Sequence, residues 1–523
     1  MKLKYLLKRH YALFNFIICL IGFSPFRLSA QNPTLVWAKT FGGSKIEYAN
    51  AITVTKDNKY LIAGRTNSSD GDVDNFRGLS DVWLLKLDEN GNLLWKKNYG
   101  GSGGESAYAI VQTLDNGFIM VGSTTSTDGN VTENKGKSDC WVIKIDSVGN
   151  IQWQKTIGGS NDESLWSVVQ TQNGDYIMGG YSKSNDGDFP ENAGDNDMWV
   201  LKLSNQGRVV WKKRIGGSKY DLLYQLTNID DKTFAVAART DSEDGDMVGA
   251  LGDFSVKMDS SGNIIWKKSF GYYNEPAGLK GFYGVGMSQK NIVFIGTKIV
   301  DRPTGRLGYS WDFLITKSDT AGNRLWSKYF GGSENERATS VQTLSNGDLL
   351  ISGYAQSNDL DVMGNHGDLD FWVIRLDSSG NLKNTSCYGG SNEDQSYASA
   401  IDRQGNVILV GFSTSTNGTF TQNKGGTDWA ILKLRYNSTD TNETDKKADI
   451  LVYPNPVQDA LRIKTPLSIS PIFRLYDITG KLIYQSKEGE KVEIIDMHTF
   501  SQGFYLLTYQ LGNTYHAQKV FKL

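Results

Sequence analysis

The sequence contains few of the residues on which catalytic, metal-binding and crosslinked sites usually depend. Among its 523 residues there are four histidines and three cysteines. Cys140 and Cys387 lie in units four repeats apart and on different strands, so no disulfide framework is expected. His366 is the only histidine of the repeated region. A serine hydrolase triad or a zinc centre in that region would therefore have to rest on one side chain.

The chain also lacks an excess of charge of either sign and has one long apolar run. Its formal net charge is −2 at pH 7, so no global basic field favours nucleic acid. The apolar run, Leu13–Phe23, follows a basic N-terminus and precedes a cleavage pattern ending at Ala30. These features predict a secretory signal peptide over residues 1–30 and a mature chain that starts at Gln31. Cys19 would allow lipidation instead, but Ile18 precedes it, where lipoprotein signals have a small residue. No other run is long enough to span a bilayer.

A unit of nearly constant length returns seven times along the chain. Its Gly-Gly-Ser marker, degenerate in the fifth unit, recurs at spacings of 58, 58, 58, 55, 60 and 58 residues, starting at Gly42, Gly100, Gly158, Gly216, Gly271, Gly331 and Gly389. Each unit holds four short stretches rich in β-branched and aromatic residues, separated by turns such as Asp115–Gly117. This period suits a four-stranded sheet with one long loop.

A single sheet of this kind cannot bury both faces, so neighbouring copies must stack, and closing the stack into a ring protects its edges. The sequence therefore predicts an all-β fold: a seven-bladed β-propeller of four-stranded blades over residues 31–436, closed by its N- and C-terminal strands. Periodic tryptophans are expected to fill the layers between blades. They are Trp37, Trp95, Trp153, Trp211, Trp266 and Trp326 on one strand and Trp83, Trp141, Trp199, Trp372 and Trp429 on another.

One turn of the repeat carries a family resemblance. Asp88–Trp95, with Gly91 inside it, resembles the docking pattern of pyrroloquinoline-quinone-type propeller repeats, although the aspartate sits one residue closer than in that family. The resemblance implies that the tryptophan strand is outermost in its blade. It also implies that Leu35–Phe41 completes the last blade, whose other strands lie within Tyr397–Leu434. The repeat pattern is shared by many scaffolds without a cofactor, so none is expected from it.

The composition changes at Asn437. Residues 437–447 contain no apolar side chain and are predicted to be a linker, followed by a second domain over residues 448–523. Alternating short strands and turns predict a small immunoglobulin-like β-sandwich there. The landmarks of this segment are Tyr453, Pro454, Asn455, Pro456, Asp477, Gly480, Gly503, Tyr505, Lys519 and Lys522.

This segment resembles the type A C-terminal sorting domain of the type IX secretion system of Bacteroidetes. The resemblance implies export by the leader, passage across the outer membrane with the secretion machinery as partner, and a product that is released or attached to the cell surface. The alternative is an ordinary immunoglobulin-like accessory module, which explains a sandwich but not the landmarks at the end of the chain.

The long loops between the second and third strands contain repeated acidic residues. Carboxylates at alternate positions of a turning loop suit calcium, and Asp and Gly also form ordinary Asx turns. The candidate calcium ligands are Asp70, Asp72, Asp74, Asp186, Asp188, Asp244 and Asp246. A second acidic set follows the glycine markers and is expected to accept hydrogen bonds from backbone amides of those links. Its members are Glu47, Glu105, Glu163, Asp221, Glu336 and Asp394.

The fifth unit departs most from the repeat, and a unique site is most easily built where a symmetric array breaks its own rule. Aromatic and arginine residues cluster in its marker and its predicted long loop, and such residues are common in contact surfaces. The candidate ligand-binding residues are Tyr272, Tyr273, Arg302, Arg306, Tyr309 and Trp311. Neutral drift in one blade is the alternative explanation.

These features favour a secreted or surface-attached binding or structural propeller that recognises a glycan or protein on its long-loop face. The competing hypothesis is an exported polysaccharide-active hydrolase or lyase. A glycosidase needs two carboxylates about 5–10 Å apart, which the acidic loops could supply, but nothing in the sequence singles out a pair. No catalytic residue is therefore assigned.

Overall fold

The computed structural model describes residues 32–248, 252–270, 282–301, 309–436, 451–453, 457–464, 471–477, 479–487, 494–511 and 514–523. The predicted signal peptide and linker lie outside the described residues, as do Tyr272, Tyr273, Arg302, Arg306, Pro454, Asn455 and Pro456. The chain divides into two compact units, Met1–Asn437 and Ser438–Leu523. They are called unit 1 and unit 2 below.

Unit 1 consists of repeated four-stranded antiparallel sheets. The first strand of the chain, which belongs to the last sheet, is β1 (Thr34–Phe41). The first sheet has β2 (Glu47–Val54), β3 (Tyr60–Thr66), β4 (Asp81–Leu87) and β5 (Leu93–Tyr99). The second has β6 (Glu105–Gln112), β7 (Phe118–Thr124), β8 (Asp139–Ile145) and β9 (Ile151–Ile157), and the third has β10 (Glu163–Gln170), β11 (Tyr176–Ser182), β12 (Asp197–Leu203) and β13 (Val209–Ile215).

The remaining sheets follow the same order. The fourth has β14 (Asp221–Asn228), β15 (Thr233–Thr240), β16 (Gly252–Asp259) and β17 (Ile264–Ser269), with a short 3₁₀ turn at Gly245–Met247. The fifth has β18 (Phe282–Ser288), β19 (Asn291–Asp301), β20 (Tyr309–Ser318) and β21 (Arg324–Phe330), and the sixth has β22 (Glu336–Thr343), β23 (Leu349–Ala355), β24 (Asp370–Leu376) and β25 (Leu382–Tyr388). The last combines β26 (Asp394–Ile401), β27 (Val407–Ser413) and β28 (Asp428–Arg435) with β1.

The turns between third and fourth strands explain why the repeat forms hairpins at these positions. In the second sheet, Gly149 has a φ of +88°, which glycine adopts without steric cost. Asp146 closes this turn because its Oδ1 accepts hydrogen bonds from the amides of Val148, at 3.0 Å, and Asn150, at 2.8 Å. The Asn150 amide bond holds the pKa of Asp146 below its usual value.

Strand β1 pairs with β28 rather than with its neighbours in sequence. The antiparallel register runs from Thr34 opposite Arg435 to Phe41 opposite Trp429. One apolar cluster joins the last sheet to the first, and within it the rings of Trp83 and Trp429 are centred 4.5 Å apart. First strands of successive sheets also contact one another, and β26 contacts β2.

The apolar layers lie between neighbouring sheets, as the tryptophan pattern predicts. The five periodic tryptophans of the third strands are at most 4% exposed. The fourth-strand tryptophans are half-buried and pack at the margins of the same clusters. Trp153, for example, lies against the turn glycine of the third sheet, where a Cβ on Gly207 would come within 3.0 Å of its ring. The periodic tryptophans are therefore structural.

Unit 2 contains two sheets. One has β29 (Leu451–Tyr453), β30 (Ala460–Lys464) and β33 (Ile494–Asp496); the other has β31 (Arg474–Asp477), β32 (Leu482–Gln485), β34 (Gly503–Leu511) and β35 (Thr514–Lys522). Leu461 from the first sheet and Leu475, Leu507 and Val520 from the second share one buried apolar cluster. In the described part of the whole chain, no helix has the length and apolar character needed to cross a membrane.

The contact between the first and last sheets can be tested by removing its central ring. Trp429 is 0% exposed, so Trp429→Ala should lower the free energy of unfolding of unit 1 by about 3–5 kcal/mol. All 13 tryptophans precede residue 437, so urea denaturation followed by tryptophan fluorescence reports on unit 1. Leu79→Ala, at a side chain that is 73% exposed, is the control and should change stability by less than about 0.5 kcal/mol. Equal effects of the two substitutions would contradict the packing described here.

Candidate functional site

The Gly-Gly-Ser links are held by the second acidic set, as predicted. The Gly43 amide donates to Glu47 Oε2 at 2.8 Å, and the Gly159 amide donates to Glu163 Oε2 at 2.7 Å. The same bond recurs from Gly101 to Glu105, from Gly217 to Asp221, from Gly332 to Glu336 and from Gly390 to Asp394, at 2.7–2.9 Å. All six carboxylates are at most 1% exposed. Their architectural role is confirmed.

A further buried aspartate, at the start of most third strands, approaches each of these acids. An ideal Cβ on Gly42 would lie 2.3 Å from Asp428 Oδ1 and 2.7 Å from Glu47 Oε2, so these two oxygens are no more than about 5 Å apart. The corresponding pairs are Asp81 with Glu105, Asp139 with Glu163, Asp197 with Asp221, Asp312 with Glu336 and Asp370 with Asp394. These carboxyl pairs explain the first glycine of the marker, because any side chain would collide with them.

Burial gives these carboxyl pairs an unusual affinity for protons. Burial, together with the nearby Glu163 carboxylate, raises the pKa of Asp139 to about 6. Burial, reinforced by Asp312, raises the pKa of Glu336 to about 7. Asp139 Oδ1 has no hydrogen-bond partner in the described structure, although Oδ2 accepts from the Lys135 amide at 2.9 Å. The pairs are sealed from solvent and cannot act on a substrate as they stand.

The proposed calcium loops use their carboxylates to hold the same links. Asp70 Oδ1 accepts from the Ser44 amide at 2.7 Å, and Asp72 Oδ2 accepts from the Gly42 amide at 3.0 Å. Asp186 and Asp244 bind the corresponding serine amides, and Asp188 and Asp246 bind the corresponding glycine amides. Asp74 instead pairs with Lys96 at 2.8 Å. The Ser44 amide bond holds the pKa of Asp70 below its usual value.

The last unit shows what these loops require. Asn417 takes the place of the first aspartate, and its Oδ1 accepts from the Ser391 amide at 2.8 Å. An uncharged oxygen therefore suffices for this contact. Within the described residues, no group of three or more histidine, cysteine or acidic side chains is arranged to hold a metal ion. Calcium would have to displace amide and lysine contacts at these loops, and its binding stays a prediction.

The fifth unit differs from the sequence-based expectation. Tyr309 and Trp311 were expected in a long loop, but they lie in β20, opposite Asp301 and Ile299 of β19. The β-branched and aromatic residues on both sides extend the hairpin, which favours strand over loop. Tyr309 is 40% exposed, and the Trp311 amide donates to Asn335 Oδ1 at 3.3 Å. The other four candidates of this cluster are outside the described residues.

A ring of residues on the first strands was not anticipated from the sequence. The pairing of every first strand with its second strand shifts by one residue, leaving one unpaired bulge residue per sheet. All of these residues are half-buried. They are Asn50, Tyr108, Trp166, Tyr224, Tyr283, Thr339 and Tyr397, and are called the bulge ring below.

Members of the bulge ring contact one another from sheet to sheet. The rings of Trp166 and Tyr224 are stacked with centroids 5.2 Å apart, and Tyr224 meets Tyr283 edge-on at 4.9 Å. Tyr108 approaches Trp166 at 6.4 Å. In most units the bulge residue comes three positions after the acid that binds the link, which places the bulge ring near the long-loop end of the first strands. An alignment of the units would have revealed aromatics at this position.

Two half-buried arginines lie against aromatic rings at the same end of the first strands. The guanidinium of Arg337 is 4.1 Å from the ring centroid of Tyr283, and that of Arg65 is 4.9 Å from that of Tyr48. A third arginine, Arg239, is paired with Asp241 at 2.9 Å. Neither of the first two has a carboxylate within ion-pair distance among the described residues. The arrangement combines flat aromatic faces with two cations that have no anionic partner.

A groove of about 770 Å³ in unit 1 is a second concave surface. It adjoins β25, where Asn384 replaces the tryptophan found at this position in the other six units. Asn384 donates to Asn32, and the groove is also lined by His366 and Met363. His366 Nδ1 lies 2.7 Å from Oδ2 of the buried Asp370.

The described landmarks of unit 2 lie in its turns and paired strands. Asp477 Oδ1 accepts from the Lys481 amide at 3.0 Å, and Gly480 in the same turn has a φ of +83°. Gly503 pairs with Lys522, and the Tyr505 hydroxyl donates to Ser501 O at 2.6 Å. Tyr453 lies in β29 and Lys519 in β35, but the placement of their side chains is outside the described residues.

Unit 2 matches a known family. Residues 451–522 match the model of the secretion system C-terminal sorting domain. The chain therefore carries a sorting tail, which implies export to the cell surface or the extracellular space and an interaction with type IX secretion machinery. The predicted resemblance of this segment is confirmed.

Similarity elsewhere in the chain is weaker. The chain is 23% identical over 392 residues to the regulatory protein FlaEY of Caulobacter vibrioides, an alignment covering 65% of this chain and 40% of that protein. It is 17% identical over 502 residues to an uncharacterized WD repeat-containing protein of Acanthamoeba polyphaga mimivirus, covering 73% and 36%. The chain thus spans about two-fifths of the length of these relatives.

Solved structures similar to this chain include propeller-type domains. The Neurospora crassa Pan2 WD40 domain has a TM-score of 0.43 and 10% identity, with 78% of this chain and 97% of that chain covered. A puromycin hydrolase mutant has a TM-score of 0.43 and 10% identity, with coverage of 82% and 61%.

The carboxyl pairs predict an unusual dependence of stability on pH. A carboxyl whose pKa is raised by folding binds protons more tightly in the folded state, so it stabilises the fold below its unfolded pKa and loses that effect as pH rises through the folded value. Burial raises the pKa of Asp81, Asp394 and Asp428 to about 6, as for Asp139. Unit 1 should therefore melt at a higher temperature at pH 5 than at pH 8, as followed by tryptophan fluorescence.

Two matched variants test the cause. Asp139→Asn should flatten part of this pH dependence and raise the melting temperature at pH 8, because Glu163 would face an amide instead of a carboxyl; Lys135 and Asp188 also face this group. Asp146→Asn is the control, because folding lowers the pKa of that exposed turn carboxyl and its effect appears only in stronger acid. The same pH dependence in Asp139→Asn as in the unaltered protein would contradict the explanation.

Proposed function

We propose that the protein is an exported β-propeller that acts as a binding module. In this proposal the sheets of unit 1 are the seven blades of a closed ring, with β1 and β28 as the closing pair. Three observations support it: the β1 to β28 register, the shared apolar cluster of the first and last sheets, and the contact of β26 with β2. In a ring, the first strands surround a central channel.

The proposed export route uses both ends of the chain. Residues 1–30 would direct the chain across the inner membrane of a Bacteroidetes cell, residues 437–447 would act as a linker, and residues 448–523 would be an immunoglobulin-like sandwich read by the secretion machinery. The two sheets of unit 2 around one core support a sandwich. The mature propeller would be released or attached to the outer-membrane surface.

The observation that carries the binding function is the bulge ring. Five of its seven residues are half-buried aromatics that lie outside the apolar clusters between the sheets, and the ring lies toward the end where the long loops emerge. Aromatics beside arginines are typical of recognition surfaces. The ligand is a glycan or a protein, and the exposed Tyr309 with Arg306 of the fifth unit would add contacts on the same long-loop face.

The competing proposal is a polysaccharide-active hydrolase or lyase that uses loop carboxylates. Asp74 and Asp246 are loop carboxylates with some exposure, at 60% and 37% of the side chain, and they keep this alternative open. The carboxyl pairs do not support it, because solvent does not reach them. Calcium at the loops remains part of the proposal and would raise the melting temperature of unit 1 if it binds.

Export can be tested by removing the sorting tail. A chain that ends before residue 451 should keep its folded unit 1 but remain inside the cell envelope, because nothing would direct it across the outer membrane. Immunoblots of medium, cell surface and periplasm measure this, and the full-length chain is the control. Equal amounts of both chains outside the cell would contradict the proposed route.

Binding and catalysis can be separated with purified unit 1. We expect at least one saccharide or protein of an array to bind without being altered, in the presence or absence of calcium, and alanine at both Tyr309 and Arg306 to weaken that binding by about tenfold. Leu79→Ala is the control for an exposed side chain. Cleavage of a polymer that is abolished by Asp74→Asn or Asp246→Asn would favour the hydrolase or lyase instead.

A further inference from the structure

We propose that the bulge ring binds an acidic saccharide, with pyranose rings stacked on its aromatic faces and a carboxylate held by Arg337. This rests on the proposed function of unit 1 as a binding propeller and names the ligand class of that site. The contacts of Trp166, Tyr224, Tyr283 and Arg337 carry it.

The aromatic side chains of the bulge ring form a continuous wall of contacting rings over three neighbouring sheets. Trp166 stacks on Tyr224 at an interplanar angle of 24°, and Tyr224 meets Tyr283 at 72°. Tyr181 of β11 adds an edge contact to Trp166 at 5.2 Å. Side chains of this kind combine an apolar body with a polar tip, which matches a sugar ring that has one apolar face and a rim of hydroxyls.

Arg337 supplies the charge at the end of this wall. Its guanidinium lies 4.1 Å from the centroid of Tyr283, and no carboxylate is within ion-pair distance of it among the described residues. Guanidinium groups bind carboxylates through two parallel hydrogen bonds. A half-buried guanidinium without an anion beside an aromatic wall therefore favours an anionic ligand over a neutral one.

The bulges themselves disfavour an extended peptide as the ligand. A peptide that adds to a sheet needs a regular strand edge, and a bulge disrupts the pairing pattern and twists the strand. Every first strand carries such a bulge near the link. Polar members of the bulge ring are also engaged: Asn50 Nδ2 donates to Ala107 O at 2.8 Å, and Thr339 Oγ1 donates to Ser396 O at 2.9 Å. The ligand contacts in this proposal therefore come from the aromatic members of the bulge ring.

Affinity gel electrophoresis of the mature chain tests the assignment. The gels contain polygalacturonate, alginate, neutral hydroxyethylcellulose or no polymer, and a solution titration with a single-stranded thymidine oligonucleotide is run in parallel. We expect retardation by at least one of the two acidic polymers and weaker retardation by the neutral one. Tri-galacturonate and galacturonic acid, added as competitors, show whether a chain or a single residue is recognised.

Three variants locate the site, and two more serve as controls. Trp166→Ala and Trp166→Leu should each weaken binding about tenfold, because both remove the flat aromatic face. Leucine keeps apolar volume at this position, so the second variant still tests the site if alanine impairs folding. Arg337→Gln should weaken binding of the acidic polymer about tenfold while leaving neutral binding unchanged. Tyr329→Ala, at a side chain that is 48% exposed on β21, and Arg403→Gln, in the turn before β27, are the matched controls and should bind as the unaltered chain does.

The outcomes separate this proposal from the proposed function. Acidic binding that survives in the Trp166 and Arg337 variants would overturn the bulge ring as the site and leave the binding module standing. Binding of the oligonucleotide or of the neutral polymer alone would overturn the ligand class. Retardation by none of the polymers would overturn this proposal, while the array described above tests binding to other ligands.

Discussion

The structure of unit 1 depends on how each sheet is joined to the next. At every regular link, a buried carboxylate accepts a hydrogen bond from the second glycine of the marker, while a second buried carboxyl lies over the first glycine. Hydrogen bonds from amides to buried carboxylates are strong and costly to break, so they fix the position at which the chain leaves one sheet and enters the next. The loops between second and third strands then bind the same link from outside, through Asp70 and Asp72 in the first unit.

This joint brings like charges together, and burial decides how they coexist. Two carboxylates no more than about 5 Å apart in a dry environment repel each other, so burial favours a proton on one of each pair. The raised pKa values of Asp139 and Glu336 follow from this placement. The burial of two carboxyl groups at each link thus explains both how neighbouring sheets are joined and why these groups bind protons tightly. Neither property requires that these acids act on a ligand.

The features that the sequence could predict are those that repetition makes visible. Strand order, turn glycines and the tryptophan layers depend on residue type at a fixed spacing, and the roles of Glu47 and Glu163 followed from their place after the marker. The bulge ring was missed because a bulge is a property of the register between two strands, which no single strand encodes. The sequence analysis placed Tyr309 and Trp311 in a loop, whereas they lie in the paired strands of the β19–β20 hairpin. The polar residues that alternate with apolar ones in this hairpin are also common in loops, so composition alone did not distinguish the two.

Asn384 stands where the other six units have a fourth-strand tryptophan, and the strand topology explains this difference. The fourth-strand tryptophans Trp37, Trp153, Trp211, Trp266 and Trp326 lie against the glycine of the next sheet's third turn. The sheet after β25 is built from β28 and β1, which are separated by the length of the domain and share no turn. A tryptophan at position 384 would have no such glycine to cover, and Asn384 bonds to Asn32 before β1 instead. Where β1 pairs with β28, no turn glycine calls for a tryptophan, and the surface beside Asn384 is a groove. The bulge ring follows the same logic at the opposite edge of each sheet, because its positions lie outside the layers that hold the sheets together and so can vary from Trp166 to Thr339 without loss of the fold.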